Sequence, residues 1–186
     1  MTEPCDRRQA LVHAAFSAIA EQGFEGFRLR PIAEVAGIDH STLHHHFRTK
    51  ADLIAAVVEY VTSQLEGAMR FDLEPAERLR HYLGGIAAAV VERPELFVVF
   101  GEFEMRARRD AFMAATISQA EQGWRHMLAT TFAEGIEQSS WSAPLDADAS
   151  AELVIAAVKG IRLRPEMANA VITQLCGLFV YGVREK

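Results

Sequence analysis

Apolar residues recur along this chain at helical spacing, and alternating β-branched runs bounded by turn residues do not recur. From Arg7 to Gln22, the positions Leu11, Val12, Ala15, Phe16, Ile19 and Ala20 form one stripe, with Asp6 as first-turn acid or cap and Gly23 as the stop. Phe24-Glu25-Gly26-Phe27 is too glycine-rich to continue a helix. A short second helix is predicted over Leu29 to Ala36, with Pro31 tolerated in its first turn and Ile32, Ala33 and Ala36 inward. Gly37 breaks it, and Asp39 is expected to cap a third helix over His40 to His46. Thr49 caps a fourth, with Asp52 at N3 as an acidic capping box; it runs from Lys50 to about Met69, its apolar face Leu53, Ile54, Val57, Val58, Val61 and Leu65.

Phe71 to Pro75 reads as a connector. Beyond it, helices are predicted at about Ala76 to Glu92, Glu95 to Phe100, Glu102 to Glu137, Ala147 to Leu163 and Glu166 to Val183. The long one is expected to break near Arg109 or Gly123, Ser139 to Pro144 is a loop, and Pro94 and Pro165 each open a new helix. No repeat or low-complexity tract interrupts the pattern. The predicted class is all-α: an N-terminal three-helix helix-turn-helix domain (1–52), a linker helix and connector (53–74), and a helical domain for ligand sensing and dimerisation (75–186).

Composition adds bounds. Half of the 186 residues are hydrophobic, enough for a buried core, and the formal net charge is −6. That charge argues against a protein that coats DNA non-specifically, but only a contacting face need be basic. The acid is uneven: residues 1–52 carry −1, and five of the seven histidines lie there. Cys5 and Cys176 are too distant in sequence to suggest a disulfide framework, so two free thiols are expected. The N-terminus is acidic without a long apolar stretch, and no window reaches the ~18 apolar residues of a span. We therefore expect no signal peptide, no membrane partner and a cytoplasmic location.

The informative stretch is Leu29 to Phe47: two short helices around a tight turn at Gly37, the geometry in which one helix braces and the next enters the major groove. Ala33 is small where the helices approach, Gly37 allows a positive φ, Ile38 plugs the angle and Leu43 anchors the third helix inward.

Ile32-Ala33-Glu34-Val35-Ala36-Gly37-Ile38, then Ser41-Thr42-Leu43-His44-His45-His46-Phe47, then Thr49-Lys50-Ala51-Asp52-Leu53 resembles the signature of the tetracycline-repressor (TetR) family, which usually reads close to I-A-x-x-A-G-V-S-x-x-T-L-Y-x-H-F-x-x-K-x-x-L. The resemblance covers roughly the first 60 residues. It implies an all-helical regulator whose fourth helix joins the DNA reader to a C-terminal domain that dimerises through its last two helices. Members usually repress transcription and release DNA when a small ligand binds. His44 stands where the family usually has Tyr, Asp39 replaces the usual Ser, Arg28 takes the place of a capping Ser or Thr, and Pro31 that of an acid. These departures bear on the operator sequence and on phosphate contacts.

On that reading Lys50, at the start of the fourth helix, faces a phosphate together with the positive helix end. Thr42 and His44 flank the groove and touch backbone or base edges, and His40, Ser41 and His45 are base-edge candidates. Arg28 suits a phosphate, a guanine or plain solvation, and Arg48 shares that ambiguity. His46 and Phe47 suit packing between helices. His40 and His44 at i,i+4 could chelate zinc on one face, but no Cys, Asp or Glu evidently joins them, and we expect no metal and no cofactor. Imidazoles titrate near pH ~6.5, so operator affinity is expected to rise between pH ~7.5 and ~6.

Glu166 to Val183 is apolar on more than one face, as is Leu153 to Leu163, which fits a four-helix dimer interface or simple core burial. Phe97, Phe100, Phe103, Met105, Phe112, Trp124 and Met127 suit an adaptable apolar pocket for a small-molecule effector of unknown identity, or an ordinary core. Glu102, Glu104, Arg106 and Glu121 could add polar contacts there or form a solvated face. A small helical enzyme is the alternative class, but no nucleophile–base–orienter set and no phosphate-cradling glycine loop is present, so no catalytic residue is assigned. A DNA-binding module that senses a protein partner, or nothing at all, is a third reading. The expected partners are thus double-stranded operator DNA, a second copy of the chain, and the effector.

Overall fold

The structure is a computed structural model that describes residues 4–141 and 144–180; the side chains of 4–6, 40 and 41 lie outside the described part. Among the described residues there are α-helices and 3₁₀ turns and no strand. The helices are α1 (Pro4–Gln22), α2 (Leu29–Val35), α3 (His40–His46), α4 (Lys50–Glu66), α5 (Pro75–Glu92), α6 (Pro94–Ala107), α7 (Ala111–Glu137), α8 (Ala147–Ile161) and α9 (Ala168–Phe179), with 3₁₀ turns at Phe24–Gly26 and Pro165–Met167. The all-α expectation holds.

Several boundaries differ from the sequence reading. The expected gap at Gly101 is absent: α6 runs through it. A mid-helix glycine costs about 1 kcal/mol. Burial of Leu96, Phe97, Val99, Phe100 and Phe103 outweighs this, since each large apolar side chain is worth about 1.5–3 kcal/mol. The break falls at Arg108 to Asp110, close to the first of the two expected positions, and α7 passes Gly123 intact. Asp110 supplies the reason: its Oδ1 accepts the N–H groups of Phe112 (3.1 Å) and Met113 (3.2 Å), capping the new helix. Asp146 caps α8 in the same way, accepting Ala149 N–H at 2.7 Å. Pro165 opens a 3₁₀ turn before α9 begins at Ala168, and the expected end of that helix at Val183 lies outside the described residues.

Two compact units do not follow chain order. One comprises Met1–Ser63 with Glu95–Ala120, the other Gln64–Pro94 with Glu121–Lys186. In the first, Leu11 and Ile19 of α1, Phe27, Ile32 of α2, Leu43 of α3, Leu53 of α4 and Phe103 of α6 are the inward anchors, all at most 2% exposed.

In the second unit α5, α8 and α9 bury Leu79, Leu83, Ile86, Val154, Ile172 and Phe179. Phe132 of α7 stacks edge-on against Phe179 at 4.9 Å and lies 5.2 Å from Trp141, whose indole N–H donates to the Phe132 carbonyl at 2.9 Å. Gly135 makes room for that indole, since a Cβ there would collide with it. Arg78 is buried in this unit. Its guanidinium donates to Glu134 at 2.6 Å and to the carbonyls of Phe71 (3.2 Å) and Leu73 (3.1 Å), tying the α4–α5 connector to α7.

Candidate nucleic-acid interface

The α2–turn–α3 segment is built from short local bonds. Ala36 N–H donates to Ile32 O at 3.0 Å, and Gly37 N–H to Glu34 O at 3.1 Å; the chain then reverses at Gly37, whose φ is +66°. Only glycine takes that conformation without a Cβ penalty. Ile38 N–H returns to Ala33 O at 2.9 Å, and the Ile38 side chain is buried, as the plug role requires. Asp39 occupies the N-cap of α3 with an extended backbone, and its carbonyl receives Thr42 N–H (2.9 Å) and Leu43 N–H (3.1 Å). The expected side-chain cap is not made. Arg28, at the N-cap of α2, likewise makes no side-chain cap bond.

α3 presents two different faces. Leu43 and Phe47 are buried and hold it to the unit, while His44 and His45 are exposed and Thr42 is half-buried. The backbone of His40 and Ser41 forms the first turn, and their side chains lie outside the described residues. Phe47 packs inward as expected and carries Arg8 over its ring at 4.9 Å, whereas His46 is only half-buried. Among the described residues no three His, Cys, Asp or Glu side chains converge on a metal position.

The start of α4 completes the surface. Thr49 and Asp52 form the predicted reciprocal box: Thr49 N–H donates to Asp52 Oδ2 at 2.9 Å, and Asp52 N–H to Thr49 Oγ1 at 3.1 Å. Lys50, in the first turn, does not simply extend into solvent. Its Nζ donates to Phe27 O at 3.1 Å and stands over the rings of Phe27 (4.8 Å) and Phe24 (5.7 Å). The cation is thus held at the α1–α2 corner with N–H groups left for an anion. Arg28 is exposed on the rim of a groove of about 530 Å³ between α1 and α2, lined by Ala14, Ala18, Pro31 and Val35 among others.

The effector-pocket candidates divide. Phe97, Phe100 and Phe103 are buried in the first unit; Trp124 is buried and Met127 half-buried in the second. Met105 is 63% exposed and Phe112 43% exposed, so neither lines an enclosed site. The helical turn explains it, because Phe103 and Met113 take the inward directions beside them. Trp124 Nε1 donates to Tyr82 Oη at 2.7 Å, a buried pair in which burial pushes the Tyr82 phenol well above its usual range. Glu102 and Arg106 turn to the α1–α2 corner instead, and Glu121 pairs with Lys159. Sequence reasoning missed Arg78 and the Glu102 contact because their partners are 56 and 78 residues away.

Two short helices set by a left-handed glycine, with exposed polar residues on the second and a lysine in the first turn of the helix that follows, define a DNA-binding protein of the helix-turn-helix class. Comparison with known proteins narrows this. Residues 11–57 match the profile of bacterial regulatory proteins of the tetR family, and residues 75–174 that of the C-terminal part of BetI-type transcriptional repressors. The transcriptional regulator AcuR of Cereibacter sphaeroides is 30% identical over 168 residues, covering 86% of this chain and 76% of that protein. The transcriptional repressor KstR2 of Mycolicibacterium smegmatis is 26% identical over 150 residues, 79% of this chain and 73% of its own. The crystal structure of AibR in complex with isovaleryl coenzyme A and operator DNA superposes with a TM-score of 0.70 at 20% identity, covering 93% of this chain and 100% of that one. The chain belongs to the TetR family of DNA-binding transcriptional regulators, which are not enzymes. No helix among the described residues is long and apolar enough to cross a membrane.

Proposed function

We propose that this chain is a homodimeric, ligand-responsive repressor. Residues 1–52 read the operator, 53–74 link, and 75–186 dimerise and bind a small molecule whose arrival releases the DNA. The observation that carries the reading is α3: Leu43 is buried and fixes one face while His44 and His45 are exposed on the other. Arg28, Thr42, His44, His45 and Lys50 are the contacts assigned to DNA, with His40 and Ser41 in the first turn that enters the groove. Lys50 holds a phosphate; Thr42 and the histidines touch phosphates or base edges.

Dimerisation is supported by the outer faces of the last two helices. On α8, Ala149, Leu153, Ala156 and Gly160 are exposed at helical spacing, and Leu163 follows; on α9, Gly177 and Leu178 are exposed. Such small and apolar residues suit close helix packing with a second copy. Repression is supported by the BetI-type repressor match and by the repressor KstR2, and small-molecule binding by AibR, whose structure holds isovaleryl coenzyme A together with operator DNA. Phe97, Phe100 and Phe103 in the first unit, or Trp124 and Met127 in the second, are the candidates for lining an effector site.

Selection of binding sequences from a random duplex pool tests the reading. The expected product is a pseudo-palindrome with half-sites about one helical turn apart. Enrichment of no sequence by the full-length protein would overturn it.

A further inference from the structure

The corner between α1 and α2 is gripped from a helix far along the chain. Glu102 of α6 accepts the Phe24 N–H on its Oε2 at 3.0 Å. Phe103 meets the Phe24 ring edge-on at 6.4 Å. Arg106 places its guanidinium 5.1 Å from the same ring and 3.8 Å from the Glu25 carboxylate. Lys50 shares that aromatic corner, 5.7 Å from the Phe24 ring and hydrogen-bonded to Phe27 O.

The carboxylate meets a specific need. The Phe24 amide follows the end of α1 and opens the 3₁₀ turn, so it has no helical acceptor of its own. Gly23 turns the chain at φ +67°, and a Cβ there would stand 3.3 Å from the Glu102 oxygen. The backbone is therefore shaped to receive that oxygen closely, and a charge-assisted bond is the strong kind.

We propose that Glu102 is a positioning residue for DNA binding: by fixing the Phe24 amide it fixes the corner that holds the Lys50 ammonium where a phosphate must meet it. This rests on the assignment of Lys50 to a phosphate. The direction of the effect separates position from charge. A carboxylate near a phosphate contact repels DNA, so charge alone predicts that any neutral substitution strengthens binding. Positioning predicts that only substitutions removing the acceptor weaken it.

The test uses the full-length protein and the operator recovered by selection. Operator affinity is measured for Glu102→Ala, Glu102→Gln, Lys50→Ala and the Glu102→Ala/Lys50→Ala pair, alongside helical circular dichroism and hydrogen exchange at the Phe24 amide. The expected result for Glu102→Ala is a folded protein with faster exchange at Phe24 and operator affinity lowered about tenfold. Glu102→Gln, whose amide oxygen still accepts, should bind at least as well as the parent. The double variant should bind no more weakly than Lys50→Ala alone, because the two act through one contact. If Glu102→Ala binds as well as or better than the parent, or if its loss multiplies with that of Lys50→Ala, the proposal is overturned. If Lys50→Ala itself leaves affinity unchanged, the phosphate assignment fails first and takes this inference with it.

Discussion

Lys50 Nζ and the main-chain oxygen of Phe27 lie 3.1 Å apart, joining the first turn of α4 to the residue that precedes the N-cap of α2. The side chain is thereby steadied before it meets DNA, so less rotamer entropy is lost when a phosphate arrives. For Lys50→Ala we expect operator affinity to fall about tenfold and the slope of log affinity against log salt to flatten by about one. Titrations at several salt concentrations measure both, and a parallel slope would show that Lys50 meets no phosphate.

Gly37 holds φ +66°, and a Cβ added there would find nothing within 4 Å, so the cost of adding a Cβ is that of the backbone conformation. Gly37→Val should destabilise the first unit by about 1–2 kcal/mol, and Gly37→Asn by less, since Asn visits the left-handed region more readily. Urea midpoints would give the order; equal losses would point to a steric clash instead.

Arg78 is buried with three oxygen partners, and its Nε has none. Arg78→Met strips the Phe71 and Leu73 carbonyls and leaves Glu134 without its cation, at an expected cost of about 2–4 kcal/mol. Arg78→Lys should recover little, because an ammonium cannot span the same fork. Chemical denaturation checks both variants.

Tyr82 makes stability depend on alkaline pH. Burial raises its pKa in the folded chain. As pH climbs past ~10, an unfolded tyrosine ionises while the folded one keeps its proton. The unfolded state then binds fewer protons, so stability is full below ~10 and falls as pH rises above it. Tyr82→Phe should show a smaller decline between pH ~9 and ~11 in urea midpoints; identical curves would remove Tyr82 as the cause.

Leu153 is 48% exposed on the α8 face that carries Ala156 and Gly160. Leu153→Arg places a charge on the face assigned to the second copy. Light scattering should then report a monomer with unchanged helicity, and affinity for the two-half-site operator should collapse to that of a single half-site. A persistent dimer would move the interface elsewhere.

Local chemistry explains what is legible in the sequence. Thr49 and Asp52 lie three residues apart and cap the same turn, and Gly37 announces a left-handed turn because no other residue enters it freely. Helix periodicity, the α2–turn–α3 segment and the place of Lys50 at a helix N-terminus follow from order and spacing in the same way. Asp39 marks the limit: it takes the expected N-cap position without the side-chain bond, because a residue type predicts the position better than the rotamer that completes the cap.

Order along the chain thus determined the class of fold and the α2–turn–α3 segment, since helix formation, capping and turn reversal act over a few neighbours. Folding in three dimensions decided which cations are held and by what. The Phe27 carbonyl steadies Lys50, Glu102 closes the Phe24 amide, Arg78 reaches Glu134, and Met105 and Phe112 turn to solvent. Those outcomes depend on partners brought together by packing, and a buried polar group takes whichever acceptor the assembled core leaves within reach.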